Sequence, residues 1–284
     1  MRETPSGSST ADFRSSRDRQ LDRAGAALNQ QPREAERVAS EILDAEPHHP
    51  RALQLLGKAL VAQGRGGEAI TAIEASVRNR RDPELETILA MALRQTGRLD
   101  DALFHLKRTV KRHARHAPAF RELGSLLFVL ERFDEAIVAF KSGLDIAPMM
   151  PELSIELGRI FLHRRDCSNA KAAFARALSI VPNSAEALFG MAKAHQEIGE
   201  NDAAAGYFRS YLMLRPNDTK AWINLGLCLL ELGQRDAGHD CFRTVVRSHP
   251  EYYAETLGAL ASSGRGRFWL RPSAAASFLG DPKA

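Results

Sequence analysis

The chain has 284 residues, 44% of them hydrophobic and 7% aromatic, which is enough apolar material for one large core or two ordinary ones. A formal charge of +4 is too small by itself to mark a nucleic-acid binder. Three cysteines, Cys167, Cys228 and Cys241, argue against a disulfide framework and suit a reducing compartment, so the expected location is cytoplasmic.

No apolar run approaches the roughly 18 to 20 residues of a membrane helix. The first stretch, MRETPSGSSTADFRSSRDR, lacks the apolar segment of a secretory leader, and residues 1–15 are expected to form a disordered tail. Residues 16–49 carry a weak first helix and then Ala35 and Pro47. Residues 50–82 keep Leu56, Gly57, Ala69 and Ile73, and residues 83–116 keep Leu89, Ala90, Ala102 and Leu106.

From residue 117 a clock becomes visible. Phe140, Phe174, Phe208 and Phe242 recur every 34 residues, and so do Pro148, Pro182, Pro216 and Pro250. Ala102, Ala136, Ala170, Ala204 and Gly238 keep the same phase. Within each period the apolar spacing is helical: Trp222, Leu225, Gly226 and Leu229 make one stripe, and Ala237, Cys241, Phe242 and Val245 a second. Gly64, Gly97, Gly199 and Gly233 fall where the first helix ends, a position that favours positive φ. Asp100, Asp134, Ser168, Asp202 and Asp236 are expected to cap the second helices, and Ser184 and Asp218 the first helices that follow a proline. The period is therefore two antiparallel helices joined by a short turn.

The unit resembles the tetratricopeptide repeat (TPR), whose pattern is W-x2-L-G-x2-Y…A-x3-F…P. Trp222, Leu225, Gly226, Gly238, Phe242 and Pro250 follow it, with Leu229 in the tyrosine slot. Leu123, Gly124, Ala136, Phe140 and Pro148 follow it too, as do Leu157, Gly158, Ala170, Phe174 and Pro182, and Met191, Ala192, Ala204, Phe208 and Pro216. The resemblance implies an all-α, right-handed superhelical solenoid of about seven antiparallel helix-turn-helix repeats over residues 16–252. The units would be 16–49, 50–82, 83–116, 117–150, 151–184, 185–218 and 219–252, with a capping helix and tail over 253–284.

It also implies a concave groove lined by the first helix of each pair. Gln54, Thr87, Arg121, Ile155, Phe189 and Ile223 would face it, with Lys58, Met91, Ser125, Arg159, Lys193 and Leu227 a turn further on. Arg94, Phe128, His163 and Asn224 lie nearby. Arginine forks suit carboxylates and the apolar neighbours suit anchoring side chains, so an extended, partly acidic peptide is the expected guest. Some members of the family grip a C-terminal carboxylate with a Lys-Asn-Asn-Lys-Arg set. Here Glu156 and Glu186 stand in its asparagine and lysine positions, and the set is not reproduced.

A second surface competes. Residues 51–116 hold thirteen Lys and Arg against seven Asp and Glu. Lys107, Arg108, Lys111, Arg112 and Arg115 run along one helical face, joined by Arg78, Arg80 and Arg81 from the preceding unit. This patch is a candidate contact for RNA, an anionic membrane surface or an acidic protein, although few aromatics interleave it for base stacking.

His239, Asp240 and Cys241 stand in a row, but consecutive helical residues point about 100° apart and cannot converge on one substrate. Cys228 and Cys241 occupy slots that are apolar in the other units, so both are expected to pack. His48–His49 and His113…His116 lack companions at metal-ligand spacing and are expected to be solvated. No catalytic residue, cofactor or metal is expected. At the C-terminal end Phe268, Trp269 and Leu270 either fold back on the last repeat or dock on another protein. The expected function is a scaffold or adaptor that holds a partner peptide. The alternatives are a polyanion or membrane-surface binder, or a non-catalytic regulatory subunit of an enzyme such as a transferase.

Overall fold

The computed structural model describes residues 8–79, 81–262 and 278–279. Arg80, Phe268, Trp269 and Leu270 lie outside the described residues. The described chain is all helical, without a β-strand. Seven pairs follow one another: α1 (Ser8–Ala27) with α2 (Pro32–Ala45), α3 (Pro50–Ala62) with α4 (Gly66–Asn79), α5 (Pro83–Gln95) with α6 (Leu99–Arg112), α7 (Ala117–Val129) with α8 (Phe133–Ile146), α9 (Pro151–His163) with α10 (Cys167–Ile180), α11 (Ala185–Glu197) with α12 (Asn201–Leu214), and α13 (Thr219–Glu231) with α14 (Arg235–Ser248). A 3₁₀ turn, Pro250–Tyr252, then leads into α15 (Tyr253–Ser262). The chain divides into two compact units, Met1–Ala147 and Pro148–Ala284.

Local chemistry explains the boundaries. Proline opens α2, α3, α5 and α9, where its missing N–H costs nothing and its fixed φ is already helical. Ser184 Oγ accepts from Ala187 N–H and an Asp218 carboxylate oxygen from Ala221 N–H, as the sequence led one to expect. The second helices begin differently. Asp100, Asp134, Asp202 and Asp236 sit inside the first turn, not at the N-cap, which is Arg98, Arg132, Glu200 and Gln234 respectively. In α10 the cap is Asp166 rather than Ser168, with its carboxylate accepting from Asn169 N–H. The inter-helix turn is tighter than the spacing suggested, so these acids act on the free N–H groups by charge rather than by capping.

The tight turn needs one left-handed residue. Gly64, Gly97, Gly199 and Gly233 take φ of +78°, +80°, +76° and +79°. Glu131 and Arg165 hold the same place at +58° and +59° without being glycine. In every one of these turns an N–H reaches five residues back to a first-helix carbonyl, for example Asp166 N–H to Phe161 O at 2.8 Å and Glu200 N–H to His195 O at 2.9 Å. The hydrogen bonds hold the geometry, and the two charged residues tolerate the strain.

Helix α1 begins at Ser8, inside the stretch the sequence expected to be disordered. Its anchors are Leu21 and Ala24, which pack with Ala35, Ala39, Ile42 and Leu55. Once that end is docked, helix propagates toward the N-terminus at one hydrogen bond per residue without a second nucleation.

From α8 onward each pair buries a phenylalanine ring, and three of the four rings lie against a glycine of the first helix. Phe140, Phe174, Phe208 and Phe242 are all 0% exposed. A Cβ on Gly124 would stand 2.6 Å from the Phe140 ring, and one on Gly158 2.6 Å from the Phe174 ring. Phe174 is also covered from the following pair: a Cβ on Gly190 would come within 2.3 Å of it. Ala136, Ala170 and Ala204 are fully buried, and Gly226 and Gly238 approach backbone to backbone, each near 3 Å from the other's carbonyl oxygen as measured from an added Cβ. Small residues bring the helix axes close, and the ring then bridges one pair to the next.

The C-terminal end closes on the last pair. Leu260 of α15 and Leu279 are both 0% exposed in a cluster with Leu230, Phe242, Val245 and Val246. Phe278 meets His239 edge to face at 4.8 Å, lies 4.6 Å from the Arg243 guanidinium, and its carbonyl accepts from Arg243 Nε–H at 3.1 Å.

Two substitutions of one type should move stability in opposite directions. Gly190→Ala should cost about 1–3 kcal/mol by crowding Phe174, whereas Gly206→Ala, where an added Cβ meets nothing within 4 Å, should add up to about 1 kcal/mol of helix stability. Urea midpoints of the two variants measure this. Arg165→Gly should stabilise by about 0.5–1 kcal/mol and Gly199→Ala should destabilise by about 1 kcal/mol, read in the same titration.

Candidate functional site

The first helices carry the expected groove residues, and the structure sorts them. Ile155 is only 9% exposed and packs with Ala170, Phe174, Ala187 and Met191, so it belongs to the core and not to the accessible face. Ile223 and Thr87 are buried as well, with Thr87 Oγ1–H donating to Pro83 O at 2.7 Å. β-branched residues five places into the unit turn inward because the helices cross closely there. Phe189 is half-buried, its ring 5.7 Å from Phe208 and 5.1 Å from Tyr211. Phe128 meets Phe133 at 5.6 Å. These two rings brace the turns and show only part of their surface.

The remaining residues form a polar face in each unit. In the first unit Lys58 Nζ lies 2.5 Å from Glu84, and Gln54 Nε2–H donates to Asp82 at 2.9 Å. Arg94 and Arg121 converge on one carboxylate, Glu122, at 3.6 Å and 2.9 Å. The Glu122 side chain is 7% exposed while the two arginines are 37% and 34% exposed. Met91 and Ser125 are half-buried beside them in sequence register. Lys58, Gln54, Arg51 and Asp22 also line a cleft of about 300 Å³ between α1 and α3. In the second unit Arg159 pairs with Glu156 at 3.1 Å and His163 is exposed. Lys193 Nζ donates to Gln196 at 2.9 Å, and Asn224 donates to the Lys220 carbonyl of its own helix at 2.8 Å.

The sequence reading named Glu156 as a clamp position but not as a partner of Arg159, and it missed Glu84 and Glu122. Glu84, Glu122 and Glu156 turn a row of free cations into a mixed face. Glu156 was discoverable, since it stands three residues before Arg159 on one helix. Arg94 with Glu122 is a contact between successive first helices that spacing within one helix does not reveal.

The basic patch is also partly neutralised. Glu86, 1% exposed, occupies the slot where the repeat pattern places tryptophan. It accepts from Thr109 Oγ1–H at 2.6 Å and lies 3.7 Å from both Arg108 and Arg112. Lys107 pairs with Glu135 and Arg78 with Glu74. Lys111, Arg115 and Arg81 are exposed and have no ion pair among the described residues.

The two histidine pairs are not simply solvated. His49 Nδ1 accepts from Ala52 N–H and caps α3. His116 Nε2 lies 3.4 Å from Glu84, yet burial outweighs that carboxylate and holds its pKa below the usual histidine range. Among the described residues no group of three His, Cys, Asp or Glu is placed to hold a metal, and no helix is long and apolar enough to cross a membrane.

His239 and Cys241 are buried, at 3% and 5% exposure, while Asp240 faces out and pairs with Arg243 at 2.9 Å. The three therefore point apart. Burial pushes the Cys228 and Cys241 thiols up to about 11.

Two family models, both described as Tetratricopeptide repeat, match: one over residues 26–92, the other over 89–151, 155–221 and 190–237. The chain belongs to the tetratricopeptide repeat family. No curated protein matches it at a significant level. Similar solved structures are TPR proteins too. YrrB, described as a TPR protein with an unusual peptide-binding site, is 21% identical with a TM-score of 0.56, over 66% of this chain and 95% of that one. A thermophilic TPR protein of Thermus thermophilus is 23% identical with a TM-score of 0.53, over 63% and 97%. The APC/C hetero-tetramer Cut9-Hcn1 contains a chain that is 13% identical with a TM-score of 0.67; this TPR chain covers 51% of it and is itself covered over 92%. At these identities the likeness is one of fold.

The buried thiols give a direct check on the packing assignment. At pH 8 Cys228 and Cys241 should react with a disulfide reagent about 100-fold more slowly than a free thiol, and at the free rate in urea. Native reaction at the free rate would show that these positions are not core.

Proposed function

We propose that this TPR protein is a non-catalytic scaffold that holds an extended segment of a partner protein against its first-helix faces. The observation that carries the reading is the Arg94–Glu122–Arg121 group: two partly exposed guanidiniums share one nearly buried carboxylate. One positive charge is left over, and both forks are already oriented by Glu122, so a partner carboxylate meets prearranged donors. Within the same unit Lys58 extends the polar face, with Met91, Ser125 and Phe128 as partly covered contacts; the second unit offers a face of its own from Arg159, Lys193 and Phe189, with His163 and Asn224 at its edges. The peptide-binding site in the description of YrrB supports the same use of this fold. The acidic character of the guest rests on the excess of guanidinium over carboxylate. The face carries its own glutamates, so the fit is to single acidic side chains and not to a dense polyanion.

The test must not strand a buried charge. Arg94→Gln/Arg121→Gln/Glu122→Gln removes all three charges at once and should keep the helical circular dichroism of the parent. Partner proteins retained from a lysate by the parent and weakened about tenfold or more by this variant would identify the guest. An identical set of retained proteins, at unchanged strength, would dismiss the first-helix face as the binding surface.

A further inference from the structure

The second helices of the first unit hold a cleft that the groove reading does not use. It is an open groove of about 360 Å³. Phe120, Leu123 and Leu127 of α7 line it together with Val138 and Ala139 of α8 and Lys107 of α6. Asp134, Glu135 and Ser142 complete the lining. Its lining is mainly apolar, which is unusual for an outer helical surface in water.

The repeat register relates Val138 of the lining to a residue outside it, Phe104. Phe104 and Val138 occupy equivalent places on α6 and α8, 34 residues apart, and each is 64% exposed. The same place is Arg37, Thr71, Ala172, Gly206 or Asp240 in the other repeats. One helical turn further on stand Lys107 and Lys141, again equivalent. Lys111 continues the α6 row and is exposed, as is Lys141, and neither has an ion pair among the described residues. Lys107 is held beside the cleft by Glu135, which also takes Arg132. Two neighbouring helices thus repeat one device: an exposed apolar side chain followed by a lysine.

We propose that this cleft docks an acidic peptide segment of another protein, with one large apolar side chain filling the cavity and carboxylates meeting Lys107, Lys111 and Lys141. Charge complementarity favours that occupant. The apolar floor of this open groove suits an inserted apolar group, which a nucleic-acid backbone does not carry. Asp134 and Glu135 in the lining disfavour an anion over the cleft itself, so the guest's carboxylates lie at its edges, toward the lysines. The surface is distinct from the first-helix face, so the two readings stand or fall separately.

A displayed random-peptide library, selected on the intact protein and counter-selected on the Val138→Glu variant, tests the proposal. Val138 is exposed, so this variant should keep the parent's circular dichroism, and Val138→Ser serves as a milder second version. The expected result is enrichment of sequences with one Leu, Phe or Trp flanked by Asp or Glu. A synthetic peptide of that consensus should lose at least tenfold in affinity with Val138→Glu and several-fold with Lys107→Gln/Lys111→Gln/Lys141→Gln, by fluorescence anisotropy. It should bind the Arg94→Gln/Arg121→Gln/Glu122→Gln variant unchanged. Enriched sequences that lack an apolar anchor or are basic would overturn the proposal, as would selection of none that Val138→Glu discriminates. So would tighter binding of a 20-nucleotide single-stranded RNA or of phosphatidylserine vesicles, lost with the lysines but kept in Val138→Glu. Dimerisation abolished by Val138→Glu would make a second copy the occupant and overturn it equally.

Discussion

A phenylalanine ring resting on a glycine backbone is the contact on which the pairs built around Phe140, Phe174 and Phe242 depend. Phe174 shows it most fully: Gly158 of its own pair lies on one side and Gly190 of the next pair on another, both closer than any Cβ allows. The ring is therefore a fastener between pairs as well as a core residue. Loss of the ring would leave a cavity that glycine neighbours cannot fill, which places Phe174→Ala in the range of about 3–5 kcal/mol. The close approach also has a geometric effect. It sets the distance between successive first helices, and so decides which of their side chains remain accessible.

That constraint sorts the first-helix residues. Positions that point toward the crossing, such as Ile155 and Ile223, are drawn into the core. Positions one turn on, such as Lys58 and Arg159, keep their heads accessible and paired with Glu84 and Glu156. The polar face is a by-product of packing, and its electrostatics come from contacts between repeats as much as from any one repeat. Arg94 reaches Glu122 across 28 positions of sequence, and Lys58 reaches Glu84 across 26.

The periodic part of the molecule was legible in the sequence because the fold itself is periodic. Phenylalanine, small residues, proline and glycine each answer a local demand that recurs every 34 residues, so the helix pairs and the four left-handed glycines could be read directly. Glu131 and Arg165 adopt the same backbone without any signal in their residue type. The second-helix caps were misplaced by two residues because Asp is equally at home at the cap and inside the first turn. The ion pairs were not legible for a different reason. They join residues whose separation is fixed by how pairs stack, and composition near Arg108 and Arg112 gives no sign that Glu86 is buried beneath them.

Glu86 makes its repeat non-exchangeable. An engineer regularising the array toward the family pattern would place tryptophan at that slot. The indole would fill the space, yet Arg108 and Arg112 would lose their shared counter-charge and Thr109 its acceptor. The pattern residue is thus admissible only as part of a four-position rewrite, and copying this repeat elsewhere in the array would require carrying all four residues with it.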